Sequence, residues 1–163
     1  QELRKHRACF TGHRPEKLTV SETEVRRWLY ESIEEEIVRD HTTFISGMAR
    51  GVDIWAAESV LAIRDKMKLE GTEVRLICAS PYDGFEKNWS REWQAQYWHI
   101  MNNADLKRFI CPHYSRGCFQ IRNKWMVDHS DIVIAVYNGE KGGTKNTIDY
   151  ALNQGLEVRY IAG

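Results

Sequence analysis

One apolar run constrains the fold of this chain more than any other stretch. Ile132, Val133, Ile134, Ala135 and Val136 follow one another without a polar interruption, and all except the alanine are β-branched. Such residues favour extended backbone. A strand with one solvated face alternates apolar and polar residues, so a continuous run indicates a strand that is covered on both faces. The run therefore predicts a sheet with helices packed on each side.

Six β-like runs alternate with about five segments of helical periodicity along the chain. The strands are predicted at 8–10, 43–46, 73–78, 106–111, 132–136 and 157–161. This alternation is typical of an α/β protein with a Rossmann-like, doubly wound, mostly parallel sheet and helices on both faces. A length of 163 residues suits one core, and no repeat or linker divides it, so we expect a single domain over residues 1–163.

Two local signals predict where helices begin. Ser21 with Glu24 three residues later forms a capping box, which indicates the start of the first helix. Asp53 lies directly before an apolar stripe of helical spacing, so we expect the second helix to start there, where Asp53 could serve as its N-cap.

Charge composition gives no general reason to expect nucleic acid as a partner. The 23 Lys and Arg residues balance the 23 Asp and Glu residues. Residues 86–125 carry a local net charge of +4 and four of the six tryptophans, a combination that can bind single strands. Trp89, Trp93 and Tyr97 recur at helical spacing, however, which favours a packing role on one helix.

The cysteines indicate a reducing compartment. Cys9, Cys78, Cys111 and Cys118 lie in or beside apolar runs, as small buried side chains do, and a cytoplasmic location fits them best. The cysteines around His113 lack a zinc-binding spacing, so we expect no metal, while the identity of any cofactor stays open. No apolar run approaches the roughly 20 residues needed to span a bilayer, and we expect no membrane partner.

Polar, glycine-containing loops follow four of the predicted strands. Because ligands bind at the carboxyl ends of strands in such sheets, these loops are expected to form one site. Their candidate residues are Gly12, His13, Arg14, Ser46, Gly47, Arg50, Gly51, Asp53, Ser80, Pro81, Gly142, Gly143 and Thr144. Arginines, hydroxyls and backbone amides beside glycines suit a phosphate group. Simple turns at the glycines, a structural role for His13 and a capping role for Asp53 remain alternatives.

The loop after the second strand resembles a known signature. Residues 46–53, including Ala49 and Gly51, resemble the SG-x-A-x-G-[IV]-D motif of the DprA/Smf domain. Residues 11–15 resemble the opening segment of the short single-domain proteins related to YpsA. Both groups belong to the SLOG superfamily, which also contains the LOG proteins.

Later segments extend this resemblance over nearly the whole chain. Arg122 and Asn123, together with residues 130–133, resemble the RN…SD segment of DprA/Smf proteins. Gly143, Thr144 and Thr147 resemble the G-[ST]-x-x-T-A segment that closes the domain. The resemblance implies a Rossmann-like fold that binds a nucleotide-derived ligand at the strand ends.

The leading hypothesis is therefore binding or sensing of a nucleotide-like small molecule, such as an ADP-ribose-like compound or a nucleoside phosphate. Arg14, Arg50 and Arg122 would hold phosphate, and Asp53 or Asn146 would bind ribose hydroxyls. Homo-oligomerisation stays an open question.

Two alternatives follow from other branches of the superfamily. Resemblance to LOG proteins implies a phosphoribohydrolase that cleaves nucleoside monophosphates, with Arg122 anchoring phosphate and Asp149 as the acid/base. Resemblance to DprA implies a single-stranded DNA-binding module, which the balanced charge of this chain does not favour.

Overall fold

The computed structural model describes residues 3–163, so the first two residues of the predicted domain lie outside it. Its six strands form one sheet in the order β4-β3-β2-β1-β5-β6, and all five neighbouring pairs are parallel. The strands are β1 (Arg7–Gly12), β2 (Thr43–Ser46), β3 (Arg75–Ser80), β4 (Leu106–Phe109), β5 (Ile132–Tyr137) and β6 (Glu157–Ala162). The predicted Rossmann-like α/β class is confirmed.

Five α-helices connect the strands: α1 (Glu22–Val38), α2 (Val52–Leu69), α3 (Arg91–Asn103), α4 (Cys118–Asp128) and α5 (Gly143–Asn153). Short 3-10 turns lie at Leu3–His6 and Pro15–Lys17. Among the described residues, none of these helices has the length and apolarity that a bilayer span requires.

Side chains of the central strands alternate between two apolar clusters. Ile134 of β5 pairs with Phe10 of β1, and both belong to the cluster covered by α1, α2 and α3. Val133 pairs with Cys9, and both belong to the cluster covered by α4 and α5. All five residues of the apolar run are fully buried, which confirms a strand with helices on both sides.

The N-terminus of α1 is capped as predicted, while that of α2 is not. Ser21 Oγ accepts a hydrogen bond from the Glu24 N–H at 3.3 Å. The N-cap of α2 is Gly51, whose φ of 92° favours glycine, and Asp53 lies inside the first turn. The prediction of Asp53 as N-cap is therefore wrong by two residues.

The aromatic stripe also differs from the prediction. Ser90 caps α3 by accepting from the Trp93 N–H, so Trp89 lies in the turn before the helix. Strand β4 ends at Phe109, and all its residues are exposed at the edge of the sheet. Trp89 therefore does not belong to α3, and it lies close to the strand ends.

A buried charge cluster ties several elements together at the amino ends of the strands. Glu36 is fully buried and accepts from His41 at 2.9 Å and from Arg159 at 2.9 Å. The other ring nitrogen of His41 contacts Asp131 at 2.9 Å. This amino-end charge cluster (Glu36, His41, Asp131, Arg159) links α1 to the sheet at the edge opposite to the predicted site.

Candidate ligand cavity

The chain order of the strands creates a crevice between β1 and β5. From β1 the chain proceeds outwards through β2, β3 and β4, and it then returns to add β5 and β6 on the other side. Such a switch point is where doubly wound sheets bind ligands. A cavity of about 410 Å³ lies there, at the carboxyl ends of the strands. It is called the strand-end cavity below.

Many of the sequence-predicted residues meet in the strand-end cavity. Those that line it are Gly12, His13, Arg14, Ala49, Arg50, Asp53, Arg122, Asn123, Gly142, Gly143 and Thr144. They come from four segments of the chain, which the sheet brings to one edge. Their role in binding stays a prediction.

The end of β1 approaches α2 so closely that a side chain has no room. A Cβ on Gly12 would lie 2.6 Å from the side-chain carbons of Val52. This contact places the following residues, His13 and Arg14, at the mouth of the cavity. Arg14 remains largely exposed, 3.7 Å from Glu16.

His13 joins the first loop to the last glycine-rich loop. Its Nε2 accepts a hydrogen bond from the Asn138 N–H at 3.1 Å, and its ring stacks on Tyr137 at 5.7 Å. The side-chain amide of Asn138 also donates to the Lys17 carbonyl at 3.0 Å. Burial lowers the pKa of His13, which favours the neutral ring that this acceptor role requires.

The loop after β2 is held by its own side chains. Ser46 Oγ donates to the Asp53 carbonyl at 2.8 Å and accepts from the Met48 N–H at 3.2 Å. A Cβ on Gly47 would lie 2.8 Å from the guanidinium of Arg122. Ser46, Gly47 and Gly51 therefore shape the loop, and they do not line the cavity.

Asp53 and Arg122 place opposite charges in the wall of the cavity, and both side chains are buried. Asp53 Oδ2 accepts from the Ala49 N–H at 3.2 Å. Burial raises the pKa of Asp53 to about 6, although the nearby Arg122 and this hydrogen bond oppose the rise. Arg122 donates to the Gly47 carbonyl and to Asn123 Oδ1. Its pKa is lowered by burial, against the influence of Asp53.

The amino end of α5 opens into the same cavity. Gly142, Gly143 and Thr144 line it, no side chain caps the helix, and no acidic residue lies in its first turn. Backbone N–H groups at such a terminus, with the helix dipole, favour an anion.

Besides Ser46, Gly47 and Gly51, five more predicted residues lie outside the cavity lining. Ser80 shares a 2.8 Å hydrogen bond with the buried Tyr97 hydroxyl, and the Pro81 carbonyl accepts from the Cys111 N–H at 2.9 Å. Asn146 is exposed, and Thr147 donates to the Gly143 carbonyl within α5. Asp149 is the seventh residue of α5 and contacts Lys145 at 2.7 Å. Because it does not reach the cavity, its proposed acid/base role has no geometric support.

One wall of the cavity is aromatic, and it was not predicted from the sequence. Phe85, Trp89 and Phe119, called the aromatic wall below, line its side towards β3 and α4. Phe85 lies 5.0 Å from Trp89 and 5.7 Å from Phe119, measured between ring centroids. Phe85 and Trp89 follow β3, and the loop after that strand was already expected at this edge of the sheet. Their position in the sequence could therefore have indicated that they line the cavity.

The lining is strongly cationic, although the whole chain has no net charge. Two lysines that were not predicted from the sequence, Lys17 and Lys141, join three arginines around the cavity. Asp53 is the one acidic residue in the lining, counted over residues 3–163. Fold and cavity together define a Rossmann-like α/β protein with a cationic, partly aromatic cleft at its switch point.

A family model described as the YspA SLOG family, named YpsA, matches residues 8–160. The chain therefore belongs to the YpsA-type SLOG family. It is 33% identical over 132 residues to YoqJ, an uncharacterised SPbeta prophage-derived protein of Bacillus subtilis, covering 73% of this chain and 75% of YoqJ. A UPF0398 protein of Brevibacillus brevis is 30% identical over 129 residues, which cover 78% of this chain. The match spans 64% of that relative, less than two thirds of its length.

Solved structures of DNA processing protein A share the fold. The Helicobacter pylori protein, described with its single-stranded DNA binding mode, matches with a TM-score of 0.68 at 18% identity. That match covers 99% of this chain and 67% of the other. The Streptococcus pneumoniae protein (DprA) matches with a TM-score of 0.67 at 17% identity, over 99% of this chain and 52% of the other. At these identities the likeness concerns the fold alone.

Proposed function

We propose that the strand-end cavity binds a nucleotide-derived small molecule, with phosphate at one side and a planar base at the other. One observation carries the proposal: a single cavity combines an uncapped helix terminus and five cationic side chains with a wall of three aromatic rings. These two chemistries correspond to the two parts of a nucleotide.

The phosphate would lie at the start of α5. Gly142 and Gly143 leave its first-turn N–H groups accessible, and the Cβ position of each meets open space. Lys141 precedes this turn, and Arg14 and Lys17 line the cavity from the β1 loop. Together they provide the charge-assisted hydrogen bonds that phosphate oxygens accept.

The base would pack on the aromatic wall, because planar rings gain from stacking and from apolar burial. Between the two ends, Asp53 and Asn123 supply a carboxylate and an amide in the lining. These groups can bind ribose hydroxyls, as acidic residues do in dinucleotide-binding folds. Hydrolysis through Asp149 is not part of the proposal, because that residue lies outside the cavity.

The proposal is tested by measuring the unfolding temperature and the heat of binding with a panel of nucleotides. At a concentration 100 times its Kd, a ligand stabilises the folded state by about 2.7 kcal/mol. For a domain of this size that raises Tm by about 5–10 °C. If no nucleotide shifts Tm or produces heat at millimolar concentration, while the protein is folded, the proposal is wrong.

The position proposed for the phosphate, at the start of α5, is tested by substituting Lys141. Removing a charged hydrogen-bond partner costs about 1.5–3 kcal/mol, so Lys141→Ala is expected to weaken binding about 10- to 100-fold. Lys68→Ala is the matched control, because Lys68 is exposed on α2 and does not line the cavity. Equal effects of the two variants would contradict the assignment.

Single-stranded DNA is a second candidate ligand, favoured by the aromatic rings beside a cationic cavity and by the fold shared with DNA processing protein A. For DNA, the logarithm of affinity should fall with the logarithm of salt by about 0.7 per neutralised phosphate. Anisotropy of labelled oligothymidine over a salt series tests this, and an absent or salt-independent signal removes the candidate.

A further inference from the structure

The aromatic wall continues beyond the cavity. Tyr82 lies 5.7 Å from Phe85 and 6.5 Å from Phe119, and Tyr114 lies 5.6 Å from Tyr82 and 6.3 Å from Phe119. Neither tyrosine lines the cavity. Tyr82 and Tyr114, called the aromatic shelf below, therefore extend the wall outwards from the cavity.

Folding does not account for the exposure of the shelf. Tyr114 is 60% exposed, Tyr82 is partly exposed, and the adjoining Phe119 of the wall is 37% exposed, so much of their apolar surface remains in water. Within residues 3–163, neither tyrosine hydroxyl has a hydrogen-bond partner. Isolated apolar side chains on a surface are ordinary, whereas a contiguous patch marks a contact site. Here the patch is continuous with a cavity that already has the features of a ligand site.

The size of the patch favours a small planar group over a protein. Stable protein interfaces bury about 1,200–2,000 Å², far more than two tyrosines supply. Wall and shelf together form a strip of five rings whose neighbouring centroids are 5.0–6.5 Å apart. One base covers only part of such a strip, which leaves room for a second ring.

The cavity also offers two places for phosphate. The α5 terminus contributes Gly142 and Gly143, and the loop before α2 contributes Arg50. Two phosphate positions and a strip for two rings match two nucleosides joined through a diphosphate. Building on the function proposed above, we propose that the aromatic shelf is a second ring-binding subsite and that the preferred ligand class is the dinucleotides.

Calorimetry with two probes tests this. ADP and di(adenosine-5′) diphosphate share one adenosine and the diphosphate, and they differ by the second nucleoside. Stacking of a base on aromatic side chains changes affinity about 5- to 100-fold. The dinucleotide is therefore expected to bind tighter than ADP by that factor.

The variant Tyr114→Ala is expected to remove this advantage and to leave ADP binding unchanged. Because Tyr114 is exposed in a loop, the variant should keep the fold, which its unfolding temperature checks. Tyr160→Ala is the matched control, since Tyr160 is 56% exposed on β6 and lies outside the cavity and the shelf. It is expected to change neither affinity.

The outcomes separate the two proposals. ADP binding without a dinucleotide advantage, or an equal loss for both probes in Tyr114→Ala, overturns the second subsite and leaves the nucleotide site standing. No binding of either probe overturns the second subsite, and the nucleotide site is then decided by the full nucleotide panel. Steeply salt-dependent oligothymidine binding that Tyr114→Ala abolishes, without a dinucleotide advantage, would assign the shelf to single-stranded DNA and overturn the subsite.

Discussion

Replacing Asp53 by asparagine should change how stability depends on pH. The carboxyl group is buried in the cavity wall, and its pKa is raised to about 6 from an ordinary value of 3.8. The folded state therefore holds a proton that the unfolded state has lost over roughly pH 4–6. Stability rises with pH where the unfolded state binds more protons, so in this window the Asp53 contribution must fall as pH rises.

The size of the effect follows from the two pKa values. Each pH unit between them corresponds to 1.36 kcal/mol, so ionising Asp53 in the folded protein costs about 3 kcal/mol at neutral pH. The cost vanishes only below about pH 3, where the carboxyl is protonated in both states. Asparagine does not titrate. The stability of Asp53→Asn relative to the natural protein should thus rise by about 2.5 kcal/mol between pH 4 and 7.

The change of this stability difference with pH tests the reasoning better than the difference at a single pH. The attraction between Arg122 and the ionised carboxylate is already contained in the pKa of Asp53, and any remaining difference between an amide and a neutral carboxyl does not change with pH while Arg122 stays charged. Urea unfolding followed by circular dichroism at pH 4, 5, 6 and 7 measures the difference. Phosphate-free buffers are needed, because a bound anion would stabilise the folded state.

Asp149→Asn is the matched control. Asp149 is half-exposed and pairs with Lys145 on the surface of α5, a contact worth at most about 1 kcal/mol. Its difference from the natural protein should change little over the same range. A flat or falling difference for Asp53→Asn would refute the reasoning, because it would mean that Arg122 outweighs the desolvation of the carboxyl.

Two further predictions concern the frame around the cavity. Gly12→Ala should destabilise the protein by about 1–3 kcal/mol, because its Cβ would overlap Val52; Gly143→Ala, whose Cβ meets open space, is the control, and equal urea midpoints would contradict the close contact. Glu36→Ala should cost about 3–5 kcal/mol by leaving the His41 and Arg159 contacts of a fully buried carboxylate unmade. The same unfolding assay measures this cost, with exposed Glu31→Ala as the control. A fall in the free energy of unfolding of less than about 1 kcal/mol would show that the amino-end charge cluster is not a stabilising unit.

Sequence periodicity predicted the layers because it depends on short-range physics. The β5 run is apolar at every position and must be covered twice, and the glycine-rich loops must follow their strands. These facts place Gly12, Arg50 and Gly142 at one edge of the sheet without any knowledge of side-chain contacts. The α2 cap was predicted wrongly, because Gly51 can take a positive φ that its sequence context did not reveal.

The aromatic wall could not be predicted in the same way. Trp89, Trp93 and Tyr97 are four residues apart, as on one helix, but the Ser90 cap starts α3 after Trp89. Trp89 instead reaches Tyr97 and Phe85 through ring contacts of 5.5 and 5.0 Å. For Asp149, the sequence likewise did not reveal that its side chain pairs with Lys145 on α5 and does not line the cavity. Such outcomes depend on tertiary packing that a local pattern does not contain.

The position of the amino-end charge cluster affects which substitutions this protein can tolerate. Glu36 and its partners join α1 to β2, β5 and β6 at the amino ends of the strands, while the strand-end cavity lies at the carboxyl ends. Distant sites contribute independently to stability, so substitutions at one end should leave the other largely unaffected. The loops around the cavity can therefore change to accept a different ligand while Glu36 and its partners keep the sheet assembled.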